Sequence, residues 1–329
     1  MSKKFTDADL HVILGLQAPW RQAFADKHGH ERIPHGQMKL LCSNLLGLAL
    51  VAEKMRDKKD GRSIQLVVAG ASPGTHMLVL LDHLREWRQK RNVRITMYDP
   101  APLDPQMQSK VDTDDTMQFK SREFTDTDAR QWHNKRGHDC LVFFSDIRSS
   151  IQQKDKHSHK DEVKIAADMQ AQQRWVQSMQ PDYCMLKFHA PHATKDQRQV
   201  QKSFRYLHGR PYEQAYAGLF SAEYRLFCTQ ADIGTQREYC TAEIEGHAFY
   251  HTRFTRVRTY SVDGKRLRYD DAFAAHVARK AQALGLICDA QQLVCDAKTK
   301  LHVVPMHFDW AHARPSRVDA LLVRMLEIL

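Results

Sequence analysis

Short runs of almost uninterrupted apolar residues, each ending at a small or polar residue, most restrict how this chain can fold. The clearest run is Ile64–Ala69, which leads directly into Gly70. Comparable runs cover Val93–Tyr98 and residues 140–144, 183–188 and 224–229. Strands that are buried on both faces have this composition because neither face meets water. The runs therefore predict a central sheet that is covered on both sides.

Segments with helical spacing of apolar residues separate these runs. Residues 37–55, 75–90 and 163–179 predict helices between the strands, and residues 270–284 and 316–329 predict two more after the last strand. Alternating strands and helices form βαβ crossovers, which place the strands parallel to one another. We therefore predict an α/β, Rossmann-like core of a mostly parallel sheet flanked by helices over residues 1–262, with a helical appendage over residues 263–329.

The turn after the first strand is a candidate ligand site, because ligands of parallel sheets bind beyond the carboxyl ends of the strands. It has the sequence Gly70-Ala71-Ser72-Pro73-Gly74-Thr75-His76 and opens a predicted helix. Small residues let a ligand approach the backbone, and helix N-terminal amides suit a carboxylate. Asp99 ends the second strand, where an acid accepts hydrogen bonds from ribose hydroxyls. Together they predict a site for an adenosyl cofactor, and the absence of G-x-G-x-x-G argues against an ordinary dinucleotide fold.

Four further polar residues are predicted to share this edge of the sheet. Asp146 follows the third strand, Lys187 lies in the otherwise apolar fourth strand, and Glu223 precedes the fifth. Lys39 lies near the start of the first helix. If the two lysines converge, each disfavours the protonation of the other, and a neutral amine can act as a general base towards an alcohol. The alternative is that Lys187 is a solvated lysine at a strand edge, and spacing alone leaves both interpretations open.

The composition favours a polyanionic partner in a reducing compartment. Lys and Arg number 49 against 39 Asp and Glu, which gives a formal charge of +10 and suits phosphate contacts. The 7 cysteines have no CxxC spacing, and several lie in apolar runs, as buried thiols do. Neither a secretory signal nor an apolar run of about 18 residues is evident, so we expect a cytoplasmic protein without a membrane span. Residues 152–162 predict a mobile polar loop, in which His157 and His159 are solvated rather than metal ligands.

Five short motifs, in this order and with these spacings, resemble those of one family. They are Gly36-Gln37-Met38-Lys39-Leu40-Leu41, Gly70-Ala71-Ser72-Pro73-Gly74-Thr75-His76, Ser145-Asp146-Ile147-Arg148, Leu186-Lys187 and Ser221-Ala222-Glu223-Tyr224-Arg225-Leu226. The family is the poxvirus-type cap-specific mRNA (nucleoside-2′-O-)-methyltransferase, which in poxviruses is also the small, processivity-conferring subunit of poly(A) polymerase. The resemblance extends from residue 20 to residue 258.

The resemblance implies a Rossmann-like, S-adenosylmethionine-dependent methyltransferase that modifies the 2′-hydroxyl of the first transcribed nucleotide of m7G-capped mRNA. Its catalytic tetrad falls on Lys39, Asp146, Lys187 and Glu223. The family's arginine shortly after the ribose-binding acid is replaced by Ala101, so one cofactor contact is lost or supplied elsewhere. The residues implied to hold the cofactor are Gln37, Gly70, Ser72, Pro73, Gly74, Asp99, Phe124, Thr125, Asp146 and Ile147.

The resemblance also implies a pocket for the cap. The family stacks the cationic 7-methylguanine between two aromatic rings, with acids at the base edge. Trp20 matches the first ring, although it also suits a partly buried anchor, and Glu245 matches an acid. The second ring falls on His192, with Phe188 as the other candidate. Exposed basic side chains are expected to follow the RNA phosphates: Arg148, Arg205 and Arg210, with Lys154, Lys156, Lys160, Arg253, Arg256 and Arg258 as further candidates.

Two rival functions stay open at this point. The chain could methylate an internal ribose of uncapped RNA, which the histidine at position 192 favours. It could instead act mainly as an RNA-clamping processivity subunit for a poly(A) polymerase catalytic subunit. The expected partners are thus the capped 5′ end of mRNA and such a polymerase, in the host cytoplasm or virion of a large DNA virus, with no metal and no membrane.

Overall fold

The computed structural model describes residues 2–10, 36–149, 159–190, 203–218, 221, 223–251, 255–256, 258–301 and 303. Its strands, in chain order, are β1 Lys3–Lys4, β2 Ile64–Ala69, β3 Val93–Tyr98, β4 Met117–Lys120, β5 Cys140–Ser145, β6 Tyr183–His189, β7 Ser203–Leu207, β8 Arg210–Tyr212, β9 Glu223–Thr229, β10 Gln236–Cys240, β11 Thr259–Val262 and β12 Lys265–Arg268. Its helices are α1 Gly36–Asp57, α2 Thr75–His83, α3 Arg85–Lys90, α4 Pro105–Thr113, α5 Asp126–Lys135, α6 His159–Met179, α7 Gln230–Ile233, α8 Thr241–Tyr250, α9 Tyr269–Ala283 and α10 Ala290–Lys300.

A seven-stranded sheet forms the centre, in the order β4-β3-β2-β5-β6-β9-β8. The strands from β4 to β6 pair in parallel, whereas β9 is antiparallel to both of its neighbours. Helices cover both faces, so the strands are buried, as their composition predicted. The predicted mostly parallel, Rossmann-like α/β class is confirmed.

Each face of the sheet contributes to its own apolar core. On β6, Tyr183 and Met185 pack into the core that contains α1, whereas Cys184 and Leu186 pack into the core that contains α6. Side chains alternate along a strand, so Lys187 continues the row that faces α1. A lysine at the carboxyl end of β6 is thereby directed towards the first turn of α1.

The predicted helix over residues 75–90 is wrong in one respect, because it is two helices. Leu84 has φ −91° and ψ 4°, which ends α2, and α3 starts at the next residue. Leu84 and Trp87 are nevertheless both buried, as the apolar spacing predicted. The bend changes the helix direction without changing which face meets the sheet.

The polar segment predicted as a loop is also partly helical. α6 begins at His159, so the last residues of the segment 152–162 form its first turn rather than a loop. Acidic residues near a helix N-terminus are stabilising, and this segment ends in Asp161 and Glu162. Residues 152–158 of the segment, including His157, lie outside the described part of the chain.

The C-terminal elements pack on the same core as α1. β11 and β12 form an antiparallel hairpin, to which β1 adds in parallel, and Phe273, Val277 and Ala281 of α9 lie in the core with α1. The predicted division at residues 262–263 falls in the turn of this hairpin and stays a prediction. The predicted helix over residues 316–329 lies outside the described residues. Of the helices that are described, none has the length and apolar composition to cross a membrane.

Candidate active site

Four side chains from distant parts of the chain meet at the carboxyl edge of the sheet. Lys39 Nζ lies 2.7 Å from Glu223 Oε1, and Lys187 Nζ lies 3.1 Å from Asp146 Oδ1 and 3.2 Å from Glu223 Oε2. The side chains of both lysines are mostly shielded from water, with exposed fractions of 17% and 13%. Two amines and two carboxylates thus form one compact cluster, on the four residues that the resemblance implied.

The antiparallel strand β9 explains how Glu223 reaches this cluster. Asp146 and Lys187 come at the carboxyl ends of parallel strands, but Glu223 is the first residue of its strand. Because β9 runs in the opposite direction, its start lies at the edge where β5 and β6 end. Glu223 pairs in register with His189, and Lys187 pairs with residue 225.

That neighbour, Arg225, is a buried cation that the sequence analysis did not single out. It is 3% exposed, and its Nη2 donates to Asp146 Oδ1 at 2.5 Å. Its Nε donates to Gln214 Oε1 at 2.9 Å, and its Nη1 donates to the carbonyl of Ser145 at 3.4 Å. Its one signal in the sequence is an arginine inside an otherwise mostly apolar strand. Arg225 and Lys187 thus contact the same oxygen of the Asp146 carboxylate.

Gln214 ties the arginine to Glu223. Its Nε2 donates to the backbone carbonyl of Glu223 at 2.8 Å and to Oε1 of the same residue at 3.1 Å. Its Oε1 accepts from Arg225 and lies 3.5 Å from Ser43 Oγ. Because Gln214 is buried, these contacts hold the Glu223 carboxylate in place without access of water.

The cluster keeps both carboxylates ionised. Burial alone would raise the pKa of Asp146, but Arg225, Lys187 and Lys39 outweigh it and lower the pKa to about 2. Burial likewise opposes ionisation of Glu223, yet Lys187, Lys39 and Arg225 hold its pKa well below the usual range. Three cations, Lys39, Lys187 and Arg225, thus lie against the two carboxylates, and Arg148 Nη1 lies farther out, 3.9 Å from Glu223 Oε2.

Two glycines shape the turn after β2. Gly70 has φ +82°, and a Cβ there would lie 2.8 Å from the carbonyl carbon of Asp146. Gly74 has φ +79° and precedes the first residue of α2. Both backbone conformations favour glycine. The close approach at Gly70 brings the Asp146 backbone beside the turn, so the predicted cofactor loop and the cluster adjoin.

The Asp99 carboxylate already accepts two hydrogen bonds from backbone amides. Its Oδ2 accepts from the amide of Ser72 at 2.9 Å, and its Oδ1 accepts from the amide of Ala101 at 2.8 Å. Each carboxylate oxygen has a second lone pair, so hydrogen bonds to ribose hydroxyls remain available. The residue that replaces the family's arginine thus holds Asp99 through its backbone.

Of the pair Phe124 and Thr125, the threonine serves the fold. Its amide and hydroxyl both donate to Asp128 Oδ2, at 3.0 and 2.7 Å, in the capping box of α5. The Phe124 ring is buried and packs edge-on against Tyr98 and Trp175. The cofactor contact that the resemblance implies for the backbone of this pair stays a prediction.

Gln37 caps the N-terminus of α2 from the neighbouring helix. Its Oε1 accepts from the Thr75 hydroxyl at 2.8 Å and from the backbone amide of His76 at 3.2 Å, and lies 2.9 Å from His76 Nδ1. The His76 ring is buried, and its Nε2 lies 3.1 Å from Asn44 Nδ2. One amide at the start of α2 that was predicted to face a ligand carboxylate is thus occupied by Gln37.

The buried imidazole makes an acid-sensitive contribution to stability. Burial lowers the pKa of His76 to about 4, against opposition from Asp146, whereas the unfolded value is near 6.5. The unfolded chain therefore binds more protons between these values, and this contribution is complete above pH 6.5 and is lost as the pH falls towards 4. In His76→Gln, we expect the free energy of unfolding to vary less with pH over this window, by up to about 3 kcal/mol.

Urea unfolding at pH 7, 6 and 5 measures that difference. His247, whose pKa burial also lowers to about 4, contributes a slope that the variant retains. The matched control is His138→Gln, since His138 is exposed. A wild-type pH dependence in His76→Gln would contradict the prediction.

Two predicted contacts are wrong. Phe188 is fully buried between Phe204, Tyr206 and Tyr239, so it cannot stack on a cap from solution. Arg256 is buried and donates from Nε and Nη2 to Asp270, at 3.0 and 2.5 Å, so it serves the fold rather than an RNA phosphate.

The remaining cap and RNA residues are only partly described. Trp20, His192, Lys154, Lys156 and Arg253 lie outside the described residues, and the side chains of Lys160 and Glu245 are not described. Arg148, Arg205, Arg210 and Arg258 are exposed, and Arg148 Nη1 lies 3.9 Å from Glu223 Oε2. Ile147 is partly buried beside Asp146. Among the described side chains, no three His, Cys, Asp or Glu residues lie close enough to hold a metal ion.

Comparison with known proteins shows the family. Residues 21–272 match the family model of the poly(A) polymerase regulatory subunit, which is well over half of the chain. The chain belongs to the poly(A) polymerase regulatory subunit family. This confirms the resemblance drawn from the five motifs, and all of the residues in the cluster lie within the family match.

Sequence comparison also finds similarity to two viral enzymes. The chain is similar to the cap-specific mRNA (nucleoside-2′-O-)-methyltransferases of two myxoma virus strains, Lausanne and Uriarra, with 26% identity over 197 residues. The matched stretch is 60% of this chain and 53% of each relative, so the chain spans about half the length of the curated relatives it matches. A structure of bluetongue virus VP4, titled a multifunctional RNA-capping production line, matches 68% of this chain and 32% of that one, with 12% identity and a TM-score of 0.44.

Proposed function

We propose that this protein transfers a methyl group from S-adenosylmethionine to the ribose 2′-hydroxyl of the first transcribed nucleotide of m7G-capped mRNA. The observation that carries the proposal is the convergence of Lys39, Asp146, Lys187 and Glu223 beside the Gly70 turn. The names of the myxoma virus relatives supply the cap and the 2′-hydroxyl. Messenger RNA as the substrate also comes from the names of these relatives, and the family description adds a link to a poly(A) polymerase.

The residues at the carboxyl edge fit an adenosyl cofactor. The Gly70 turn lets a ligand approach the backbone, and Asp99 keeps lone pairs for ribose hydroxyls. Gln37 offers a polar side chain at the start of α1, between the turn and the cluster. The bound cofactor would supply an electrophilic methyl group on a positively charged sulfur.

The cluster supplies the groups that act on the ribose hydroxyl. Lys187 is held by Asp146 and Glu223, so its amine can take the hydroxyl proton or steer the oxygen. Lys39 and Arg225 hold the two carboxylates in place. Positioning of the two reactants is the larger contribution, because well-oriented groups gain about 7–11 kcal/mol over free ones. Arg148, Arg205 and Arg210 are exposed and suit phosphate contacts.

A paired assay tests the cap requirement. Two RNAs of identical sequence, one with an m7G cap and one with a 5′-triphosphate, are incubated with labelled cofactor. We expect methyl transfer to the capped RNA at a kcat/KM about tenfold higher or more, since stacking of a cationic base contributes about 1–3 kcal/mol. Equal rates would favour the rival in which an internal ribose is the target.

A second candidate function is favoured by the family description. The family model is that of a poly(A) polymerase regulatory subunit, so the chain would clamp RNA for a polymerase partner. The intact cluster favours a clamp role that accompanies the proposed methyltransferase site over one that replaces it. Tail-length assays with the cognate polymerase, with and without the protein, decide whether the clamp exists.

A further inference from the structure

The orientation of the Gln37 amide is fixed by its contacts. A backbone N–H can only donate, so the Gln37 atom 3.2 Å from the amide of His76 must be the carbonyl oxygen. The Thr75 hydroxyl, at 2.8 Å, and His76 Nδ1, at 2.9 Å, lie against the same oxygen. The amide nitrogen therefore occupies the other branch of the side chain. Among the described residues, none pairs with this nitrogen, and Gln37 is only half-buried.

The same contact fixes the tautomer of His76. Because Nδ1 faces a carbonyl oxygen, it carries the proton and donates. Nε2 of a neutral ring is then an acceptor, and Asn44 Nδ2, at 3.1 Å, donates to it. Burial lowers the pKa of this ring to about 4, which agrees with a neutral imidazole. The charged groups that act on it, Asp146 and Arg225, oppose each other.

We propose that His76, held in this tautomer by Asn44, is a positioning residue that presents the Gln37 amide N–H₂ group to the carboxylate at the amino-acid end of the cofactor. This inference rests on the proposed function. It adds two details to that function. Gln37 recognises the carboxylate of the cofactor, and hydrogen bonds from Asn44 to His76 and from His76 to Gln37 hold Gln37 in the required orientation.

Two observations place the amino-acid end here. Asp99 at the end of β3 suits the ribose, and Lys187 marks the place of methyl transfer, so the remaining arm of the sulfonium extends elsewhere. Gln37 lies two residues before Lys39 on α1 and touches the first turn of α2. The N-terminus of a helix favours negative charge, and Gln37 passes that preference on through its carbonyl.

The donor character of the nitrogen selects the carboxylate. An N–H₂ group pairs with an acceptor, whereas the α-ammonium group of the cofactor is a donor. If Gln37 were rotated by half a turn, its oxygen would face the ammonium group instead. The backbone amide and the ring of His76 each oppose that rotation, because each would then meet an N–H₂ group, and the ring makes the shorter of the two contacts.

Binding of two nucleosides tests the proposal. Isothermal titration calorimetry measures the dissociation constants of S-adenosylhomocysteine and of 5′-methylthioadenosine, which lacks the amino-acid end. In His76→Phe, which removes both ring hydrogen bonds, we expect affinity for S-adenosylhomocysteine to fall about tenfold and affinity for 5′-methylthioadenosine to stay within about twofold. His76→Asn places an amide nitrogen near the position of Nδ1, so it should recover most of the lost affinity.

A double variant tests whether His76 acts through Gln37. In the Gln37→Ala background, His76→Phe should have no further effect on S-adenosylhomocysteine binding. A cooperative thermal unfolding transition in each variant shows that the variant is folded under the conditions of the titration.

Three results would overturn the inference. They are equal weakening of both nucleosides in His76→Phe, no weakening of either, or a full additional loss in the Gln37→Ala background. Each leaves the proposed function standing, because the wild-type protein still binds the cofactor product. If the wild-type protein bound neither nucleoside, the proposed function itself would fail, and the inference with it.

Discussion

Lys187→Ala is expected to lower the rate of methyl transfer by about 100- to 10,000-fold, the usual contribution of a positioned acid or base. The amine of Lys187 joins Asp146 to Glu223, and no other lysine of the cluster reaches both carboxylates. Affinity for S-adenosylhomocysteine should remain within about twofold, since Lys187 lies beyond the Gly70 turn. Single-turnover kinetics on capped RNA and isothermal titration give the two quantities.

Lys187→Arg separates the two roles open to this residue. Arginine keeps the positive charge but does not give up its proton, so it can steer an oxygen and cannot act as a base. Activity as low as that of the alanine variant therefore indicates a base, and partial activity indicates steering. Lys90→Ala, at an exposed position at the end of α3, is the matched control. Undiminished methyl transfer in Lys187→Ala would refute the assignment of the site.

Arg225→Met is expected to lower the free energy of unfolding by about 3–5 kcal/mol, because it removes one partner of a buried ion pair. Asp146 loses the contact at 2.5 Å, and Gln214 loses the donor at 2.9 Å. Arg225 is the largest favourable influence on the ionisation of Asp146, so the pKa of Asp146 should rise from about 2. Urea unfolding at pH 7 and at pH 5 measures the change in stability.

Arg237→Met is the matched control for this substitution. Arg237 lies on β10, is exposed, and stands over the ring of Tyr239 at 5.4 Å. The same replacement there should change stability by about 0.5 kcal/mol or less. Equal effects of the two substitutions would mean that Arg225 contributes no more than an exposed arginine.

Much of the candidate site could be predicted because its parts mark the ends of buried strands. Asp146 follows an apolar run and Lys187 lies near the end of another, and parallel strands bring their carboxyl ends to one edge. Arg225 was less accessible to this reasoning. Its role depends on pairing with Lys187 across two antiparallel strands and on the position of Gln214, which accepts a hydrogen bond from it. Neither relation has a signature in local spacing.

The strands of the fold show the same difference between what local composition predicts and what depends on distant pairing. The strands β2, β3, β5 and β6 are mostly apolar and were predicted to within two residues. The strand β4, with sequence Met117-Gln118-Phe119-Lys120, was missed, because it lies at the edge of the sheet and half of its side chains are polar. The direction of β9 also escaped prediction, since it depends on the connection that precedes it.

The pairing of β9 with β6 has a consequence for how such a protein can diverge. Glu223 and Arg225 lie on one side of the strand, and Tyr224 and Leu226 pack into the core on the other. A single inserted or deleted residue within the strand would exchange the two sides. A tyrosine would then point at the lysines, and two charged groups would enter an apolar core. We therefore expect homologues to inherit the number of residues in this strand unchanged.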